Sequence, residues 1–377
     1  MADVVLDALK VRNFLSLREV DIALGKLNVL VGPNASGKSN VSKALRLISA
    51  HVRGVPPDKL GYRSFSEMTY NFDSSLEIQI LMEFSISSET VSYKLYLTKN
   101  GYKEEVMRGG EKILESSSSN SQFSYLTEDG SYTSGTLLGH YIIYFGINAF
   151  KSPLVKLPPN ASHILHMISD VLKSMKTFSF TPAHLRGWAS VRDSPDLGYH
   201  GERLARVILH LYLEDRERFA RIEETLKTLV PEVREVVPHL EGDSVEIWVR
   251  EEGLRKPLKP HAISDGTLRL LAFVTALYTS QNIVVFEEPE NCVHPHLLET
   301  LVDLMRKTPP QVIVTTHSPY LLDHLKPEEV LVVEKVKGET QITRLVEHSE
   351  IERVKLMLAQ GITLGEIWHA KVFGATP

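Results

Sequence analysis

The spacing of apolar residues changes three times along the chain, and each change predicts a different layer of structure. Val4 to Val11 and Val20 to Leu24 read as short strands leading to an apolar strand, Leu27-Asn28-Val29-Leu30-Val31. Val41, Ala44, Leu45 and Ile48 then recur at helical spacing. Beyond a loop with Pro56, Pro57 and Gly61, the residues Leu76, Ile78, Ile80, Met82, Phe84 and Ile86 alternate with mostly polar partners, and Val91, Tyr93, Leu95 and Leu97 do the same. That alternation predicts half-buried strands of an antiparallel meander, with Asn100-Gly101 as a two-residue hairpin. The serine-rich stretch Glu115 to Ser124 predicts an exposed flexible loop. Tyr141 to Phe145 reads as one more strand.

From about Asn160 the period becomes 3.6. Ile164, Leu165, Ile168, Val171, Leu172 and Met175 share one face; Leu204, Val207, Ile208 and Leu211 a second; Phe219, Ile222, Leu226 and Leu229 a third, which Pro231 ends. Val245, Ile247 and Val249 return to alternation. The remainder alternates helix and strand: Ser264 to Tyr278 helical, Ile283 to Phe286 a strand, His296 to Arg306 helical, Gln311 to Thr315 a strand, Ser318 to His324 a short helix, and Val330 to Val333 a strand. Ser349 with Glu352 predicts a capping box before a last apolar helix. No internal repeat and no coiled-coil heptad run is present in the sequence. An α/β fold results, a mixed sheet around a phosphate-loop core with an added antiparallel lobe and a helical insertion.

Composition narrows the class without naming it. With 377 residues, 43% of them hydrophobic, the chain can fill two or three cores. A net charge of −5 and a pI near 6.3 provide no bulk attraction to nucleic acid, so any DNA site must be a local patch. Cys292 is the single cysteine, which excludes an internal disulfide and suggests a reducing compartment. The N-terminus carries Asp3 and Asp7 without a long apolar core, unlike a signal peptide. The most apolar run, Leu268 to Tyr278, contains Arg269 and is far too short to span a membrane. A soluble, cytoplasmic protein is expected.

The chemistry is concentrated in Gly32-Pro33-Asn34-Ala35-Ser36-Gly37-Lys38-Ser39, a G-x-x-x-x-G-K-S phosphate loop between the apolar strand and the first helix. Glycines let successive amides turn inward to phosphate oxygens, and the helix N-terminus adds its partial positive charge. Lys38 can reach the β- and γ-phosphates of a nucleoside triphosphate, and the Ser39 hydroxyl can sit on Mg2+. Glu287 and Glu288 end a buried strand. One carboxylate there, assigned to Glu287, can hold the Mg2+ water shell, and the next, Glu288, can polarise the attacking water. Ser264-Asp265-Gly266-Thr267 opens an apolar helix. It is an N-cap and also a candidate second anion site for the γ-phosphate held by another subunit. His317 ends the strand after the acidic one, where a γ-phosphate sensor is wanted. His294 and His296 have no further residues to complete a metal ligand set.

With these residues in place the chain resembles the ABC-type ATPases of the RecF/SMC-like branch, and most of all the OLD-type group found in phage-exclusion and antiphage systems. The phrases that carry it are FLSLREVDIAL…VLVGPNASGKSN, AISDGTLRLLAFV, VVFEEPENCVHP, VTTHSPYLLD and LGEIWHAKVFGATP. The resemblance implies that Gly32 to Ser39, with Asn40 behind them, form the Walker A nucleotide site. It makes Ser264 to Thr267 the signature, with Ser264, Asp265 and Gly266 at the nucleotide, and Glu287-Glu288 the Walker B end. Pro289 to Asn291 would begin the D-loop, and Lys38, Glu288 and His317 would be the catalytic set. Residues 1–150 would form the N-terminal half of an ATPase head with its β-lobe, 151–235 a helical insertion, and 236–377 the C-terminal half. Two heads in this family sandwich two ATP molecules, signature facing Walker A, so a homodimer is implied.

Two departures stand out. Glu287 occupies a position usually held by aspartate, and its longer side chain still reaches a metal through water. The Q-loop glutamine has no clear place; Gln79 and Gln122 are candidates only by default. More than two hundred residues separate Lys38 from Ser264, unlike transporter subunits, and no long coiled coil fills them, unlike SMC proteins. Roughly sixty residues follow His317, and Glu334 has no D-x-D after it, so no Toprim nuclease is expected. The expected function is an ATP-driven dimeric switch in DNA metabolism or genome defence, working through a separate nuclease or other effector. DNA is a candidate partner, supported by Arg255, Lys256, Lys259 and His261 and by Lys173, Lys176 and Arg186. The alternative is an ATP-dependent module for a toxin or sensor protein, without nucleic acid.

Overall fold

Leu27–Val31 is buried at every position, and only a strand covered on both faces needs such a run. The computed structural model describes residues 4–137, 141–144, 147–291 and 293–374; Cys292 lies outside them. In chain order, β1 (Val4–Phe14), β2 (Leu17–Ala23) and β3 (Leu27–Val31) precede α1 (Lys38–Val52). Six strands follow: β4 (Ile78–Ile86), β5 (Glu89–Thr98), β6 (Gly101–Arg108), β7 (Glu111–Ser117), β8 (Gln122–Leu126) and β9 (Tyr132–Thr136). The hairpin β10 (Tyr141–Tyr144) and β11 (Ile147–Phe150) comes next. Then come α2 (His163–Ser174), β12 (Lys176–Phe178), α3 (Pro182–Leu185), β13 (Ala189–Ser190), α4 (Leu204–Glu214), α5 (Arg216–Leu229), β14 (Val233–Glu241) and β15 (Ser244–Glu251). The last part contains α6 (Asp265–Thr279), β16 (Ile283–Glu287), α7 (Leu298–Lys307), β17 (Gln311–Thr316), α8 (Pro319–Leu322), β18 (Val330–Val336), β19 (Glu339–Arg344), α9 (Ile351–Ala359) and α10 (Leu364–His369).

The central sheet has the order β12-β16-β17-β3-β18-β19, parallel except for the final β18–β19 hairpin. Side chains alternate across it. Leu27, Val29, Val31, Val284, Phe286, Val312 and Val314 enter one core with α4 to α7. Leu30, Ile283, Val285 and Ile313 enter the other with α1, α2 and the β-lobe. Each such fully buried aliphatic side chain contributes about 1.5–3 kcal/mol before entropy is charged against it. The lobe is an antiparallel sheet of order β2-β1-β4-β5-β6-β7-β8-β9, and β13-β15-β14 make a third sheet. This is the mixed α/β sheet with an added antiparallel lobe that the patterning predicts.

Several local expectations are corrected. Thr98 pairs with Gly101, so the β5–β6 turn is Lys99-Asn100 and Gly101 already belongs to the strand. Gly101 is required there because a Cβ would meet the Ser118 hydroxyl, which accepts the Tyr102 N–H at 2.9 Å. The loop expected over Glu115 to Ser124 shrinks to the turn 118–121, where Ser119 and Asn120 are exposed; its flanks are the end of β7 and the start of β8, with the Ser116 and Ser118 side chains buried. The stretch expected to be wholly helical also delivers β12 to the edge of the central sheet; three residues are too few for a period to show. Ser349 caps nothing. Glu350 holds the N-cap position of α9, and the capping box is Thr363–Glu366 at α10. β14 and β19 had gone unread, because Pro238 and charged residues interrupt their alternation.

Candidate functional site

The parallel strands all end on one side of the sheet, where α/β folds bind ligands. β3 runs into the phosphate loop, β16 into Glu287 and Glu288, and β17 into Thr316 and His317. The order β16-β17-β3 sets the histidine strand between the acids and the loop.

The loop is tightly backed. Gly37 has φ of +110°, and a Cβ on it would lie 2.0 Å from Thr340 Oγ1; a Cβ on Gly32 would lie 2.1 Å from the Val333 carbonyl oxygen. A relay of hydroxyls braces it from behind. The Asn40 amide donates to Ser16 Oγ at 2.7 Å, Ser16 lies 2.6 Å from Thr340 Oγ1, and Thr340 donates to the Ser36 carbonyl at 2.9 Å. Asn40 therefore acts here as a brace. Lys38 is buried and donates to the carbonyls of Gly32 at 2.7 Å and Pro33 at 2.9 Å. Burial lowers its pKa, opposed by the charges of Glu288 and Glu290. The Ser36 hydroxyl is buried without a partner.

At the opposite wall, Glu288 adopts φ of +49°, unusual for a residue with a side chain. Its carboxylate is held at both oxygens: Asn291 Nδ2 donates at 2.7 Å and His317 Nδ1 lies at 3.1 Å. Burial raises the pKa of Glu287, while the hydrogen bond from Tyr199, the nearby Ser42 hydroxyl and the charges of Lys43 and Arg46 pull it down. Glu290 is more deeply buried than Glu287 or Glu288. One oxygen meets the Thr316 hydroxyl, the other has no partner, and burial pushes its pKa up to about 7.

An uncovered phosphate cradle, an orphaned buried hydroxyl and a lysine folded onto loop carbonyls fit a nucleotide triphosphate. Ser39, exposed on the first turn of α1, and Glu287 are the residues that could hold its Mg2+.

Of the expected residues, Gly32 to Ser39, Glu287, Glu288 and His317 gather at these strand ends. The Ser264–Gly266 stretch stands apart. Ser264 caps α6 by accepting the Thr267 N–H at 3.0 Å, and Arg186 of α3's C-terminus grips Asp265 and the Ile263 carbonyl, the latter at 2.8 Å. Among the described residues no hydrogen bond or ion pair joins this turn to the phosphate loop. Gln79 bonds Glu77 within the lobe, and Gln122 is exposed on β8; among the described residues no hydrogen bond joins either to the site. Tyr199, Arg46 and Thr316 had been missed, and Glu290 had been read only as part of the Pro289 to Asn291 segment. Only Glu290, two residues beyond Glu288 in the same acidic phrase, carried a sequence cue. Three of the seven basic-strip residues are engaged: Lys176 pairs with Asp196, Arg186 with Asp265, and Lys259 lies over the Trp248 ring, while Arg255 and Lys256 are exposed.

Residues 27–323 match the family described as "AAA domain, putative AbiEii toxin, Type IV TA system". An OLD nuclease of Thermus scotoductus is 34% identical over 80 residues, which span 21% of this chain and 14% of that nuclease. Solved SMC heads are similar in fold. An SmcHead bound to the C-winged helix domain of ScpA gives a TM-score of 0.56 at 16% identity, covering 90% of this chain and 97% of that one. The Pyrococcus furiosus Smc head with an extended coiled coil, bound to the C-terminal domain of ScpA, gives 0.56 at 14% identity over 95% and 100%. No helix among the described residues is long and apolar enough to cross a membrane. With the phosphate loop, the Ser264–Thr267 turn and the acid-ended strand all inside the matched span, the chain belongs to this AAA-domain family, and its fold is similar to that of the SMC heads.

Proposed function

We propose that this protein binds ATP with Mg2+ at the strand ends and hydrolyses it, two heads closing on two nucleotides. The observation that carries the reading is Glu288, fixed by His317 and Asn291 on the wall opposite Lys38. The loop amides and Lys38 hold the phosphates. Mg2+, at Ser39 and Glu287, would neutralise charge on the β- and γ-oxygens. Glu288 takes the proton of the water that attacks the γ-phosphorus, and ADP departs through its β-oxygen. His317 holds the base and senses the γ-phosphate. The N-terminus of α6, with Ser264 to Gly266, supplies an anion site for the γ-phosphate of a second head, which explains why it stands apart within one chain.

The switch would act in DNA metabolism or antiphage defence through a separate effector, in the cytoplasm, a reading supported by the kinship to an OLD nuclease. A second reading, an ATP-dependent module for a protein partner such as a toxin or sensor, is favoured by the net charge of −5 and by the ion pairs that occupy Lys176 and Arg186. The test is steady-state ATP turnover with and without duplex DNA at two salt concentrations, with Glu288→Gln as the blank. Stimulation that fades with salt supports direct DNA sensing. A flat response favours the protein partner, and absence of turnover above the blank overturns the hydrolytic reading.

A further inference from the structure

The sheet order places one unassigned side chain against the acid strand. Phe178 pairs with Phe286, so β12 carries Ser179 alongside Glu287. There the backbone of a distant loop docks: the Ser179 N–H donates to the Tyr199 carbonyl at 2.8 Å, and His200 Nδ1 lies 3.1 Å from the Ser179 carbonyl oxygen. The loop is thereby fixed with the Tyr199 hydroxyl donating to Glu287 Oε2 at 3.1 Å. The Arg46 guanidinium sits 4.0 Å from the centre of the Tyr199 ring. Arg46 comes from α1, two turns beyond Ser39 and on the same face as Ser39, Ser42 and Lys43. Two walls of the site, the helix behind the phosphate loop and the acid strand, are thus bridged through a single phenol.

We propose that Tyr199 is a positioning residue for the metal-binding carboxylate, with Arg46 holding its ring. A phenol donating to one oxygen of Glu287 fixes the carboxylate's rotation and leaves its other oxygen to face Ser39, where the metal water shell is needed. The cation on the ring face is matched to the quadrupole of the aromatic and keeps the phenol from swinging away.

The inference rests on the ATP and Mg2+ reading, and the experiment separates the two. The affinity of wild type for a non-hydrolysable ATP analogue is titrated in EDTA and again in excess Mn2+; their ratio measures how much the metal tightens binding. Tyr199→Phe removes one oxygen and keeps the ring. It should leave the affinity in EDTA and the melting temperature of the free protein unchanged while cutting the metal ratio about tenfold, the lower range for outer-shell ligand partners. Arg46→Met should cut the ratio in the same direction by less. An unchanged ratio in both variants overturns the inference and leaves the phosphate site standing. Equal weakening with and without metal also overturns it, because that is the mark of a merely structural residue. A wild type that binds no analogue removes the phosphate-site reading itself, and this inference with it.

Discussion

Glu288 Oε1 lies 3.1 Å from His317 Nδ1, although the two residues are 29 positions apart and come from the ends of neighbouring parallel strands. Parallel pairing of β16 with β17 puts Glu287 level with Thr315, so the residues that follow leave the sheet side by side. The positive φ at Glu288 turns its side chain toward the histidine and costs about 1–3 kcal/mol, which the Asn291 and His317 contacts help to offset.

Glu288→Gln retains the shape and most of these contacts but cannot accept a proton. Turnover should fall about 10²–10⁴-fold, while ATP binding persists and an ATP-bound dimer accumulates. Single-turnover assays beside nucleotide retention on a column check this; wild-type turnover would place the base elsewhere.

The bracing of the phosphate loop from β19 is equally open to test. Thr340→Val deletes the bond to the Ser36 carbonyl and the contact with Ser16. Stability should drop by about 1–2 kcal/mol, and ATP affinity several-fold, since the loop loses its rear support. Thr340→Ser should keep most of both. Urea melts and nucleotide titrations of the pair decide it.

Glu290 makes stability depend on pH. Its carboxyl rises from 4.5 to about 7 in the fold, chiefly through burial. A folded state that binds the proton more tightly gains stability that is fully present below about pH 4 and lost as pH rises through about 7. Wild type should therefore lose on the order of 3 kcal/mol relative to Glu290→Gln across that window. Denaturant midpoints at pH 5 and pH 8 for both proteins measure it, and parallel profiles would show that Glu290 does not titrate there.

Ser264→Arg separates binding from assembly. The substitution removes the cap on the Thr267 N–H, at a cost of about 1 kcal/mol, and puts a bulky cation at the exposed turn. The variant should bind ATP normally and stay monomeric by light scattering. ATP hydrolysis by such a monomer would end the sandwich proposal.

How much could be read ahead depends on where the information sits. Gly32 to Ser39 was legible because a phosphate loop is made of consecutive residues whose backbone does the binding, and a local run states its own geometry. The acid pair and His317 were legible because strand-ending apolar runs, Ile283 to Phe286 and Gln311 to Thr315, announce which residues emerge at a sheet edge. Serines in Glu115 to Ser124 misled, since a buried hydroxyl and a solvated one look alike until the neighbouring strand is known.

The amino-acid order alone determined most of the longer elements and the phosphate loop, because period, turn residues and the G-x-x-x-x-G-K-S spacing act within a few residues of chain. Only the tertiary structure decided that β12 joins the central sheet, that Tyr199 meets Glu287 and that Thr340 backs Gly37. Each of those joins segments far apart in the chain. Side-chain contacts of that kind are fixed by sheet order and register, which the packing of the whole molecule sets.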